Sequence, residues 1–129
     1  PCCQAQDSFE VIGANSTRKF ILDQGGTTGK AALLHEACVL HSCVGFAYKR
    51  EPEVALVHYG AGIDVIVFPA EDVSATTRRN IVSAYPRYDF KAEFYKLLNN
   101  QVIRKPDCHI AGPFALGFAD KIHKAPFDE

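Results

Sequence analysis

The stretch Leu40–Gly62, LHSCVGFAYKREPEVALVHYGAG, places the tightest limits on what this chain can fold into. Two β-rich runs, Cys43–Tyr48 and Val54–Tyr59, flank the polar turn Lys49-Arg50-Glu51-Pro52, the pattern of a short hairpin. A hairpin joins its outer ends, so Cys43 is expected opposite His58. Val44 then pairs with Val57, Gly45 with Leu56, Phe46 with Ala55 and Ala47 with Val54. Paired residues share a face of the sheet, and a slip of one residue separates them. A thiol beside an imidazole is the minimal kit for nucleophilic catalysis.

With 129 residues, 47% of them apolar, the chain is expected to form one domain, 1–129, around a core that needs no staples. A formal net charge of −1 excludes a broad electrostatic footprint for nucleic acid. No apolar run reaches the length of a membrane span, and no secretory signal pattern opens the sequence. The absence of Met and the opening Pro1-Cys2-Cys3 suggest a fragment or processed product, the C-terminal part of something larger. Five cysteines form no obvious disulfide framework, and their odd number leaves at least one thiol free, which suits a reducing compartment.

Around the central hairpin, residues 1–8 read as a tail. Phe9–Gly13 and Arg18–Leu22 read as a further hairpin across Ala14-Asn15-Ser16-Thr17. Asp23–Lys30 is a glycine-containing loop resembling a phosphate-binding loop. Gln24 replaces its required glycine and Ala31 its hydroxyl, so the reading is a plain loop ending at a Thr28 N-cap. Lys30–Ala37 suits a short helix, and Ile63–Phe68 a buried strand ended by Pro69. Glu71–Ala84 reads as a helix. So does the segment capped by Asp89, in which Phe90, Phe94, Leu97 and Leu98 make a core-facing stripe that Asn99-Asn100 ends. Gln101–Arg104 and Cys108–Ala119 supply more strand, the latter broken at Gly112-Pro113, before a polar tail from Asp120. Strands without βαβ alternation predict an α+β fold with a mainly antiparallel sheet system.

Three groupings could carry chemistry. Cys43 with His58 is the first, although a strand cysteine is usually an inert core residue. The second is His35, Cys38, His41 and Cys43, four borderline zinc donors within nine residues, with a spacing unlike the usual zinc knuckles. It is also unlike a zinc deaminase, which needs H-x-E followed by P-C-x-x-C. Cys108-His109 is the third. Adjacent strand residues face opposite ways, so it reads as structural, with His109 a reserve imidazole.

Ser42-Cys43, a strand, a short turn and a strand ending His58-Tyr59-Gly60 resemble the catalytic core of the cytotoxic necrotizing factor toxins, shared in outline with chemotaxis receptor glutamine deamidases. The resemblance covers Leu40–Gly62 alone. It implies a β-sandwich flanked by helices and a protein-glutamine deamidase acting without metal or organic cofactor. Cys43 would be the nucleophile and His58 the acid–base. Ser42 and the backbone N–H groups near Cys43, that of Val44 among them, would face the oxyanion. A carbonyl near Val11 would stand where some members orient the histidine. Ala37 occupies the place of a threonine hydroxyl that serves this purpose in others. The resemblance further implies a secreted or delivered effector domain, monomeric, acting in a target cell's cytoplasm on a protein such as a Rho-type small GTPase. Another cysteine-based acyl transfer (transglutamination or proteolysis) and a non-enzymatic binding module, with zinc at residues 35–43, stand as alternatives.

Overall fold

A computed structural model describes residues 8–66 and 72–127, and among these it contains helices and turns and no strand. The expected α+β fold with its antiparallel β-sandwich is therefore replaced by a helical protein. The chain divides into two compact units, Pro1–Ala61 and Gly62–Glu129.

The first unit opens with α1 (Phe9–Asp23) and α2 (Thr28–Leu40), which pack against each other as an antiparallel helical hairpin. The residues read as the first β-hairpin all lie in α1. Ser8 caps it by accepting from the Val11 N–H, and Ser16 is accommodated mid-helix by donating to the Ile12 carbonyl at 3.0 Å. Glu10, Ala14, Thr17 and Ile21 lie at helical spacing and are buried or half-buried, while Ile12 and Phe20 stay exposed.

The glycine loop is a helix stop. Gly25 takes φ +78, and its N–H donates to the Leu22 carbonyl at 3.0 Å. The Gly26 N–H donates to the Ile21 carbonyl at 2.8 Å. These two bonds make a Schellman motif, which satisfies carbonyls at the end of α1. The side chain of Thr27, one residue before the expected Thr28, then accepts from the Lys30 N–H and starts α2.

After α2 the chain turns through residues 41–46, with Gly45 at φ +89, into a 3-10 turn at Ala47–Lys49. Cys43–Tyr48 is thus a turn segment. Val54–Tyr59 belongs to α3 (Pro52–Val65). Pro52 suits the first helical position, where its missing N–H is not needed, and Glu53 suits the positive end of the helix dipole. A short apolar run does not tell strand from helix by period, and here the helix continues past Tyr59 through Gly60-Ala61-Gly62 to Val65, taking in the start of the expected strand Ile63–Phe68. Val54 and His58, four apart, are buried, whereas Leu56 is 70% exposed. Ala37, Ala47 and Val54 form the buried centre, with Leu33 and Leu40 packed against it.

In the second unit, α4 (Ala75–Ala84) starts at Ser74, whose hydroxyl accepts from the Thr77 N–H at 3.1 Å. Glu71, the expected start of this helix, lies outside the described residues, as do Val67 and Phe68 of the expected strand Ile63–Phe68. α5 (Phe90–Arg104) follows Asp89 as expected, but it runs through Asn99-Asn100 and absorbs the strand assigned to Gln101–Arg104. Its stripe holds in part: Leu98 is buried and Phe90 stacks on Phe94 with centroids 5.1 Å apart, while Leu97 is exposed. Cys108–Ala119 becomes a turn, α6 (Ala111–Ala115) and the start of α7 (Phe118–His123). Pro113 is tolerated because it falls in the first turn of α6.

Candidate functional site

The residues singled out in the first unit meet at the C-terminal end of α2, where a helix leaves carbonyls without intrahelical partners. Three groups serve these carbonyls. His41 Nδ1 lies 2.6 Å from the Cys38 carbonyl, the Cys43 N–H donates to the Leu40 carbonyl at 2.9 Å, and the Cys43 thiol points at the Val39 carbonyl at 3.9 Å. The next carbonyl, that of His41, accepts from His58 Nδ1 at 2.7 Å. A carbonyl only accepts, so Nδ1 carries the proton in this bond and Nε2 is the basic nitrogen of the neutral ring.

His58 therefore comes from α3 to the junction His41–Ser42–Cys43, but not through strand pairing. The His58 Nδ1 bond goes to the His41 carbonyl, while Val11 lies in the first turn of α1 with its N–H on the Ser8 hydroxyl. Ser42 donates to Glu10 Oε1 at 3.0 Å, which ties the start of α1 to the end of α2, so its hydroxyl is committed to that carboxylate. Val44 is 78% exposed.

Glu10 is the member of this site that strand reasoning missed. It is 4% exposed, and its Oε2 is buried without a hydrogen-bond partner among the described residues. A carboxylate at helical spacing with Ala14, Thr17 and Ile21 was the available signal, hidden once Ala14–Thr17 was read as a turn. Burial first, and the Glu10 carboxylate second, raise the Cys43 thiol above its ordinary value. Nucleophilic cysteines sit in the opposite kind of environment, near positive charge that favours thiolate.

The zinc grouping is dispersed. His35 Nε2 meets Asn15 Oδ1 at 3.2 Å and Cys38 Sγ meets Thr17 Oγ1 at 3.5 Å, while His41 and Cys43 turn to backbone carbonyls. Among the described residues no three His, Cys, Asp or Glu side chains are arranged to hold a metal ion. Cys108 and His109 lie in the turn before α6, in the second unit. Among the described residues, no helix is long and apolar enough to cross a membrane.

Comparison with protein families, with curated proteins and with solved structures finds no match to this chain.

Proposed function

We propose that the first unit is a non-enzymatic binding module for a protein partner, engaged through apolar side chains presented between Val44 and Tyr59. The observation that carries this reading is the exposure of Val44 (78%), Phe46 (67%), Tyr48 (52%) and Leu56 (70%) within thirteen residues. Lys49, Arg50, Glu51 and Glu53, all exposed, lie among them. Aromatic and aliphatic side chains with charged neighbours of both signs match the make-up of protein–protein interfaces. The near-neutral charge of the chain disfavours nucleic acid as the partner. The polar residues at the end of α2 then act as clamps: Cys43, His41 and His58 satisfy carbonyls, and Ser42 holds Glu10.

The test places a photo-crosslinking residue at Val44, identifies the protein captured, and measures its affinity in purified form. Phe46→Asp and Leu56→Asp are expected to weaken saturable binding about tenfold or more, the scale of interface hot spots. Cys43→Ala is expected to leave it unchanged. Capture without saturable binding, or binding indifferent to Phe46 and Leu56, overturns the reading.

A second reading, protein-glutamine deamidation, is favoured by one observation: His58 Nδ1 bonds the carbonyl of His41, two residues before Cys43, which makes Nε2 the basic nitrogen of the ring. Cys43 would pass its thiol proton to His58 Nε2 as its sulfur attacks the carboxamide carbon, and when the C–N bond breaks to leave a thioester that proton would go to the departing ammonia. Water would then hydrolyse the thioester, giving glutamate and returning the thiol. The raised Cys43 thiol weighs against it. Intact-mass measurement on a Rho-type small GTPase decides: deamidation adds about one dalton per glutamine and requires Cys43. No mass change, or a change that survives Cys43→Ala, removes this reading.

A further inference from the structure

Apart from Glu53, His58, Asp64 and the Tyr59 hydroxyl, the side chains of α3 are apolar, and they point in every direction around the helix. A helix apolar all round is one that is covered all round. Here its buried side chains are Val54 and His58, while Leu56, Val57 and Tyr59 stay exposed. Ala47, buried in one cluster with Val54, fixes beside α3 the turn that carries Val44, Phe46 and Tyr48, exposed as well. Each of these side chains offers on the order of 100 Å² to solvent, so a pair of such surfaces would bury about 1,200 Å², the lower bound of a specific interface. The charges among them come in both signs. Arg50 is neutralised by Glu36, which leaves Lys49, lying over the Tyr48 ring, together with Glu51 and Glu53. All three are exposed, and none is in an ion pair with another described residue.

We propose that the partner of this surface is a second copy of the chain, in a two-fold dimer closed by the apolar side chains between Val44 and Tyr59. The dimer presupposes the reading of Val44–Tyr59 as a protein-binding surface and gives that surface its partner. An apolar surface that carries a cation and acids side by side is complementary to itself. A two-fold axis through it turns the Lys49 of each copy toward the Glu51 and Glu53 of the other, whereas a partner of one charge sign meets an unfavourable set along with the favourable one. The formal net charge of −1 puts little long-range repulsion between two copies.

Sedimentation velocity of the 129-residue chain across micromolar concentrations is expected to show the 14.2 kDa monomer giving way to a species of twice that mass. Phe46→Asp and Leu56→Asp, both at exposed positions, are each expected to raise the dissociation constant about tenfold or more. Charge reversal supplies a readout that loss of structure does not imitate. Lys49→Glu makes the surface acidic, and Glu51→Lys with Glu53→Lys makes it basic. Each variant alone is expected to dimerise about tenfold more weakly than the wild type, whereas the two mixed are expected to pair with each other at close to wild-type strength. A mixture that associates no better than its components overturns the proposal, as does a dimer indifferent to Phe46 and Leu56. A photo-crosslinking residue at Val44 separates this failure from that of the binding reading. A chain that stays monomeric while Val44 captures a different protein saturably loses the dimer and keeps the binding surface. One that stays monomeric and captures nothing loses both, and a crosslink from Val44 within its own chain removes the dimer.

Discussion

His58 is a polar ring, 7% exposed, in a helix whose other buried side chain is Val54. Its bond to the His41 carbonyl is what makes that burial tolerable. His58→Ala removes the donor and should lower stability by about 1–3 kcal/mol, read as a lower urea midpoint. Cys43 gives a pH signature of its own. Its thiol ionises less readily in the folded chain than in the unfolded one, so the folded state keeps its proton over a higher pH range. The stability associated with this is fully present below the unfolded thiol value, about 8.5, and is lost as pH rises through the folded one. The wild-type urea midpoint is therefore expected to fall more steeply above that pH than the midpoint of Cys43→Ala. Equal slopes would mean that the thiol titrates alike in both states. Cys43, Ser42 and His58 stand out in the sequence, but the bonds they make to the end of α2 and to Glu10 do not. Glu10 does not stand out at all, because its burial depends on a helix placing it beside Ala14, Thr17 and Ile21.

The elements separate from one another by which residues share a face. In a strand Val54, Leu56 and His58 point the same way, whereas in α3 Val54 and His58 do and Leu56 turns outward. Val54→Ala should therefore cost about 2 kcal/mol and Leu56→Ala about 0.5 kcal/mol or less, measured by chemical unfolding. Comparable losses at both positions would favour the strand. The α1–α2 connection offers a second check. An added Cβ at Gly26 would stand 2.5 Å from Ile21 Cγ2 and 2.8 Å from the Ile21 carbonyl oxygen, an atom of the backbone that cannot swing aside. Gly26→Ala is expected to destabilise by about 1–3 kcal/mol. Helix starts are partly readable: α5 begins after Asp89, although Asp89 takes φ +60 and its side chain makes no capping bond, and α2 is capped by Thr27, one residue before the expected Thr28. The Gly25-Gly26 stop reads as a plain loop in sequence, since glycine-rich segments serve helix ends and anion cradles alike.

At the scale of each unit, long-range contacts decide the architecture. In the second unit Arg87 pairs with Asp64, lies 4.3 Å over the Phe90 ring and 5.6 Å from the Phe127 ring, and so gathers three distant parts of the sequence. Its side chain is 9% exposed, and Tyr88 and Asp89 beside it take positive φ values of 45° and 60°. Arg87→Lys keeps the charge but loses the planar fork and the stacking, and should lower stability by about 1–3 kcal/mol in thermal or urea unfolding. Tyr95 plays a related part, between Phe114 at 5.6 Å and His123 at 5.5 Å, with α5 packed on α7. Neither Arg87 nor Tyr95 stands out in the sequence, because their partners are set by tertiary placement and not by spacing.

By itself, the sequence determined the helical stretch with a clear 3.6-residue period, Phe90–Leu98, and a charge balance ill-suited to nucleic acid. It pointed Phe9–Gly13, Arg18–Leu22 and Val54–Tyr59 to strands, wrongly, since β-branched and aromatic residues in short apolar runs satisfy either period. Tertiary structure resolved them. Packing α1 on α2 buries Ala14 and Glu10, and seating α3 by Val54 and His58 closes the end of α2. Burial and the need of the carbonyls ending α2 for donors overrode local β preference.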